Sequence, residues 1–183
     1  MRHVKILKLK KNKLSEPLLQ YLRVNLISSY RAQKGSIHNN YNKHLLVSAP
    51  VDLDFELLIL KTGIDLVGNM LRTKFATTLE DDQNALKSGG ISWRKYLAMT
   101  HRTAQKEVLY SQERILTLAL KIMTRLKGSK ELGQGEVVTL KDAYMRPIED
   151  LEQTPQEVLE NRLRLRHYLQ DFEFYANKQT KDF

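Results

Sequence analysis

The chain has 183 residues, of which 42% are hydrophobic, and this length can bury a sizeable core in one domain with or without an extension. It contains no cysteine, which excludes disulfides, thiolate nucleophiles, iron–sulfur clusters and cysteine-based zinc sites. The absence of cysteine also suits an intracellular protein. With 8 glycines and 4 prolines the composition favours helices, and without a run of eighteen apolar residues we expect no membrane span.

The net charge of +9 is concentrated at the N-terminus, where six basic residues precede the first acid, Glu16. Such a segment attracts acidic proteins, nucleic acids or anionic membranes, and the alternative interpretation is a solvated basic end. No aromatic residue interleaves with these lysines, although aromatic stacking is typical of single-stranded nucleic-acid binding, so we favour the solvated end. By charge alone, the candidate partner contacts are Lys8, Lys10, Lys11, Lys13, Arg72 and Lys74.

The first predicted elements are a short strand at residues 4–9 and a helix that follows Ser15. Ser15 is a suitable N-cap, and Pro17 falls in the first turn, where its missing N–H is harmless. The predicted apolar face of this helix comprises Leu18, Leu19, Leu22, Leu26 and Tyr30. The polar segment 31–43 is predicted to be a loop, and residues 44–51 fit no element clearly.

A second helix is predicted from Asp52 to Lys74. Its apolar stripe comprises Phe55, Leu58, Ile59, Leu66, Val67, Met70 and Leu71. Gly63 and Gly68 lie inside this helix, where each costs about 1 kcal/mol relative to alanine. We therefore expect them to allow a neighbouring element to pack closely.

The stretch "KFATTLEDDQNAL" at residues 74–86 contains two threonines, then Leu79 and three consecutive acids. A threonine N-cap with an acid three positions later forms a capping box, and Thr77 with Glu80 or Thr78 with Asp81 fits this spacing. Acids in a first turn also interact favourably with the helix dipole. A metal or acid–base site would need further groups supplied by the fold, so we favour capping for a helix that ends at Gly89 and Gly90.

The longest predicted helix begins after Ser92 and runs from residue 93 to about Lys127, where Gly128 can end it. Its predicted buried seam comprises Leu97, His101, Ala104, Val108, Ile115, Ala119, Ile122 and Leu126. Because His101 lies on this seam, we interpret it as a hydrogen-bonded core histidine rather than a ligand or a catalytic base.

After a predicted loop at 128–136 and a mixed segment at 137–151, "TPQE" at 154–157 predicts another helix start. The predicted face of this last helix comprises Val158, Leu165, Tyr168, Leu169, Phe172 and Tyr175. Its "RLRLR" run places arginines on different faces, which favours a solvated helix over a nucleic-acid contact.

The sequence contains no recognisable catalytic constellation. None of the five histidines has zinc-binding spacing, and no nucleophile elbow, Walker loop or dinucleotide fingerprint is present. The residues predict an all-α fold of orthogonal or bundled helices with one long helix and a short N-terminal strand. We divide the chain into a basic segment at 1–13, a helical domain at 14–127 and a C-terminal extension at 128–183.

Four segments occur in a suggestive order: "SEPLLQYLRV" at 15–24, "HLLVSAPVDLDFE" at 44–56, "TTLEDD" at 77–82 and "HRTAQKEVL" at 101–109. Together they resemble the C-terminal substrate-binding domain of SET-domain protein-lysine methyltransferases of the Rubisco large-subunit methyltransferase (LSMT) type. The resemblance covers about residues 14–126. The residues that match its two central motifs, for which we expect a structural role, are Thr77, Thr78, Glu80, Asp82, Arg102 and Lys106.

The resemblance implies an all-helical lobe that packs on a SET domain and helps to bind a protein substrate. Gln105 stands where the family usually has a glutamate, and no "NHS" or Tyr-Gly segment is present. The family's catalytic residues therefore match no position here, and S-adenosylmethionine is expected only for a full-length relative. We expect no catalytic, cofactor or metal site in this chain. Relatives occupy cytoplasm, nucleus and plastid, so the compartment stays open.

We therefore predict a non-catalytic, protein-docking module of a SET-type lysine methyltransferase, whose partners are a protein substrate, a SET catalytic domain or both. One alternative is a basic helical protein that binds nucleic acid through phosphate contacts. Another is a structural subunit of a larger complex, in which a second chain covers the seam of the long helix.

Overall fold

The computed structural model describes residues 9, 11, 13–34, 50, 52–131, 156, 160, 163 and 165–171. Within these residues lie helices α1 (Glu16–Lys34), α2 (Leu53–Lys74), α3 (Leu79–Ser88) and α4 (Trp93–Glu131). Residues 165–171 are also helical, and we call them the C-terminal helical segment. The described residues contain no strand, which confirms the all-α prediction. None of the described helices is long and apolar enough to span a bilayer.

Several predictions concern residues that the structure does not describe. The predicted strand at 4–9 lies outside the described residues except for Leu9, which is not in a strand. The ambiguous segment at 44–51 lies outside them too, apart from Pro50. So do residues 35–43 of the predicted loop at 31–43 and residues 132–136 of the predicted loop at 128–136, whose first four residues are helical. The mixed segment at 137–151 and the predicted cap at Thr154 are likewise outside the described part of the chain.

Local capping fixes where the first two helices begin. Ser15 Oγ accepts a hydrogen bond from the Leu18 amide at 3.4 Å, which confirms the predicted cap of α1. Asp52 Oδ1 accepts from the Phe55 amide at 2.8 Å at the start of α2. The prediction of a loop from residue 31 is wrong for its first turn, because α1 continues through Lys34. This turn, "RAQK", consists of strong helix formers.

The main core lies where α2 packs against both α1 and α4. Gly63 marks this junction: a β-carbon there would lie 3.3 Å from Leu22 Cδ1 of α1 and 3.4 Å from Leu116 Cδ1 of α4. The close packing expected at this glycine is therefore confirmed. The least exposed apolar side chains around it are Leu18, Leu19, Ile27, Phe55, Ile59, Leu60, Val67, Ile115, Leu116, Ala119, Ile122 and Met123.

Helix α4 buries different faces along its length. Its second half buries Ile115, Ala119, Ile122 and Leu126 against the core, as the predicted seam requires. In its first half the seam prediction is wrong, because Leu97, His101 and Ala104 are exposed and Val108 is only half-buried. The first half instead buries Met99, Thr103 and Lys106, which lie nearly opposite on the helix and face α3.

His101 is consequently not a core histidine, since it lies on the uncovered side of α4. The prediction that Gly128 ends this helix is also wrong, because α4 continues to Glu131. A β-carbon at Gly128 would have no neighbour within 4 Å, so nothing around this glycine requires the helix to stop.

The C-terminal helical segment contributes to the same core as α1 and α2. Leu165, Tyr168 and Leu169 are buried in it, as their spacing predicted. Arg166 is exposed, in agreement with a solvated polar side, whereas Arg162 and Arg164 lie outside the described residues.

Candidate functional site

The start of α3 resolves the alternatives for the acids at residues 80–82. Thr78 is the N-cap: its Oγ1 accepts from the Asp81 amide at 3.1 Å, and Asp81 Oδ2 accepts from the Thr78 amide at 2.9 Å. This is the predicted capping box in its Thr78–Asp81 form. Glu80 is exposed in the first turn, and the helix ends at Ser88 before Gly89, whose φ of 70° suits a glycine.

Asp82 has a different role from its two neighbours, because it is buried and receives four polar contacts. We call Asp82, Arg102, Lys106 and Thr77 the α3–α4 ion cluster. Arg102 donates to both carboxylate oxygens, through Nε to Oδ2 at 2.8 Å and through Nη2 to Oδ1. Lys106 Nζ donates to Oδ2 at 2.6 Å, and Thr77 Oγ1 donates to Oδ1 at 2.8 Å.

Lys106 is as deeply buried as its counter-ion, with 1% of its side chain exposed. Its ammonium also contacts the carbonyl oxygens of Thr77 and Thr78 at 2.6 and 2.9 Å, and Thr77 Oγ1 at 2.9 Å. It lies 5.3 Å from the centre of the Phe75 ring, within the range of a cation–π contact. Lys106 therefore holds the residues between α2 and α3 against α4.

The electrostatics of the cluster keep Asp82 ionised. Burial raises the pKa of this carboxyl, but hydrogen bonds from Arg102, Lys106 and Thr77 outweigh burial and lower its pKa to about 2. A carboxylate of such low basicity, with both oxygens bound, is a poor proton acceptor. Among the described residues there is also no group of acids and histidines that could hold a metal ion.

An open cleft of about 570 Å³ lies beside this cluster, between α3 and the first half of α4. It is lined by Thr77, Asp81, Asp82, Ala85, Lys95, Ala98, Met99 and Arg102. Asp82 and Arg102 bind each other at its wall, and the Asp81 carboxylate is used by the capping box. The cleft thus offers a surface for contact, and its acids are already engaged in holding α3.

A second buried ion cluster connects α1, α2 and the C-terminal helical segment. Arg23 forms a bidentate pair with Glu56, through Nη2 to Oε1 at 2.8 Å and Nε to Oε2 at 3.1 Å. Tyr168 donates its hydroxyl to Glu56 Oε1 at 2.9 Å, and Glu16 accepts from Arg23 at 3.4 Å. Burial, and then the charge of Glu56, raise the pKa of Tyr168 well above its usual value.

Sequence reasoning missed this second cluster. It placed Arg23 in the "LLQYLR" motif and Glu56 at the start of the following helix, but it did not pair them. One signal was present: Arg23 follows Leu22 directly and lies four residues after Leu19, so a charge falls on the face that α1 buries. A buried arginine requires a buried acid, and such a partner is expected on a neighbouring element.

The chain before α1 is fixed to α4 by Gln112, whose side chain is fully buried. Its Nε2 donates to the Lys13 carbonyl oxygen at 2.6 Å, and its Oε1 accepts from the Ser15 amide at 3.2 Å. An exposed ion pair between Lys11 and Glu107 at 2.8 Å adds a further contact with α4. Lys11, Lys13 and Ser15 therefore lie against α4.

The candidate partner contacts fall at different places in the fold. Lys11 and Lys13 are exposed beside α4, whereas Arg72 and Lys74 are exposed in the last turn of α2. Lys8 and Lys10 lie outside the described residues. The motif residues behave differently: apart from the exposed Glu80, they meet in and around the α3–α4 ion cluster. Gln105 is exposed and takes no part in it, since the partner of Lys106 is Asp82.

A family model described as Rubisco LSMT substrate-binding matches residues 2–109, which is more than half of the chain. The chain belongs to the Rubisco LSMT substrate-binding family. It therefore carries a substrate-binding domain, as the sequence motifs indicated. No curated protein and no solved structure matches the chain.

The Rubisco LSMT substrate-binding match contains both acids of the buried clusters, Asp82 and Glu56, and the basic residues that bind them. It ends in the middle of α4, and Tyr168 lies beyond it. The family pattern thus coincides with residues that hold α1 to α2 and α3 to α4.

Proposed function

We propose that this chain is the protein-docking module of a SET-type protein-lysine methyltransferase and that it has no catalytic role of its own. The catalytic SET domain would belong to the same polypeptide or to a partner chain. The family match over residues 2–109 carries this proposal, because it assigns the chain to a substrate-binding family named after a protein methyltransferase.

The described geometry supports a binding role more than a chemical one. The buried charged groups are held by partners: Asp82 is bound by three side chains, and Glu56 is bound by Arg23 and Tyr168. These clusters fix the relative positions of the helices through buried ion pairs. A surface that is rigid before binding loses less conformational entropy when a partner docks.

The proposal is tested by methyl transfer in two parallel samples. The first is the native protein, isolated with its associated chains from its source cells, and the second is the purified 183-residue chain. Each receives S-adenosylmethionine with a labelled methyl group. We expect label in a co-isolated protein in the first sample only, and we expect excess S-adenosylhomocysteine to suppress it.

Two results would contradict the proposal. Methylation by the purified chain alone would show that it is catalytic. The absence of methyl transfer from the native sample would remove the link to a methyltransferase, and the function would then have to be sought among other protein-binding roles.

A further inference from the structure

The first half of α4 exposes an apolar stripe that the described residues leave largely uncovered. We call Trp93, Leu97, Ala104 and Val108 the α4 stripe. Trp93 and Leu97 are 68% and 49% exposed, Ala104 is exposed and Val108 is half-buried. Large apolar side chains concentrated on one helix face, rather than scattered, are typical of an interaction surface.

The stripe continues the core-facing side of the same helix. At 100° per residue, its four members fall in a sector of about 80° together with Ile115, Ala119 and Ile122. In the second half of α4 this sector is covered by the core, and in the first half it is open. The spacing between stripe residues is therefore already that of a helix face that packs against other helices.

The exposed charged side chains at the start of the stripe are basic. Residues 93–106 contain no acid. Arg94 and Lys95 are exposed in the first turn of α4, and Arg94 lies about 20° beyond one edge of the sector that contains the stripe. The first acid of α4, Glu107, is paired with Lys11. A partner that covers the stripe would meet these basic side chains near Trp93, and acidic groups complement them best.

We propose that the α4 stripe docks an acidic amphipathic helix of a partner protein. This inference rests on the proposed function and names the class of partner for it. Leu97, Ala104 and Val108 are aliphatic or small, which suits the packing of a helix rather than the stacking of bases. The rings of Trp93 and Tyr96 stack on each other, with centres 5.7 Å apart and planes at 11°. A second copy of this chain would bring the same positive charges and is disfavoured.

Trp93 provides the measurement, because it is the only tryptophan in the chain and lies in the stripe. The probe is a tryptophan-free helical peptide of about three heptads, with leucines along one face and glutamates beside them. We expect a saturable blue shift of the Trp93 emission. A second peptide with the same leucines and lysines in place of the glutamates should give no shift, and a third with serines in place of the leucines should also fail.

Matched variants locate the contact. Leu97→Gln should weaken binding about tenfold, because a half-exposed leucine becomes buried in the complex. Val24→Gln is the control, since Val24 on α1 is 56% exposed and lies outside the stripe. It should leave the affinity unchanged, and circular dichroism of both variants checks that the fold is retained.

Three outcomes would overturn the inference: no emission change with the acidic peptide, equal binding of the lysine peptide, or equal weakening by the two variants. A stronger shift with a single-stranded oligonucleotide than with the acidic peptide would assign the surface to nucleic acid instead. The methyl-transfer result does not depend on these peptides, so failure of the docking inference and failure of the proposed function are distinguishable.

Discussion

Replacing Asp82 by asparagine tests whether the α3–α4 ion cluster stabilises the fold. The side chain keeps its shape, but the buried Lys106 ammonium loses its counter-ion, and an amide N–H₂ now faces the donors of Arg102 or Lys106. Removing one partner of a buried ion pair costs about 3–5 kcal/mol. With a urea m-value of about 2 kcal/mol/M, we expect the unfolding midpoint to fall by about 2 M, as measured by circular dichroism.

The neighbouring acid supplies the matched control. Asp81→Asn removes the same charge from an exposed position in the first turn and should lower the unfolding midpoint much less, because solvent screens this charge. If Asp82→Asn destabilised the protein no more than Asp81→Asn, the reasoning about the buried cluster would be refuted. The double variant Asp82→Asn with Lys106→Met removes both buried charges and should be more stable than Asp82→Asn alone.

Three further predictions concern stability, each measured by urea unfolding. Because the pKa of Asp82 is lowered to about 2 from 3.8, its stabilising contribution should be complete above about pH 5 and lost as the pH falls through 3.8 toward 2. Asp82→Asn should make the free energy of unfolding depend less on pH in this range. Tyr168→Phe should cost about 1.5–3 kcal/mol, because Glu56 loses a hydrogen bond inside the core. Gly63→Val should cost about 1–3 kcal/mol by crowding the α1–α2–α4 junction, whereas Gly128→Ala should stabilise the protein by about 1 kcal/mol, since its surroundings are open.

Each of these predictions has an outcome that contradicts it. If Asp82→Asn leaves the loss of stability at acid pH unchanged, that loss must come from the protonation of other groups. Tyr110, which is 42% exposed, provides the control for Tyr168. If Tyr110→Phe lowers the free energy of unfolding as much as Tyr168→Phe does, the effect at Tyr168 does not come from its buried hydrogen bond. Equal effects at the two glycines would mean that helix propensity, and not packing, decides the result at both.

Capping could be predicted because it is local. The Ser15 cap, the Thr78–Asp81 box and the helix end at Gly89 each depend on residues within a few positions of one another. Their geometry follows from backbone groups that need partners at helix ends. The same reasoning set the bounds of α2 and α3 closely, without any knowledge of the tertiary structure.

The buried side of α4 could not be predicted in its first half. Its apolar residues there continue the stripe of the second half, so periodicity alone assigned them to the core. The residues that are actually buried include Lys106, a residue type that patterns assign to solvent. Lysine is buried here because Asp82, 24 positions earlier, supplies the opposite charge. The pairing of Arg23 with Glu56, 33 positions apart, was missed for the same reason.

Helix α4 runs without a break from Trp93 to Glu131, across the position where the family match ends. A polypeptide that stopped at residue 109 would keep the four motifs by which the family is recognised and both buried ion pairs. It would lose Ile115, Leu116, Ala119, Ile122 and Met123, and with them the side of the core that α2 packs against. The segment by which this chain is recognised is therefore shorter than the segment that builds its core.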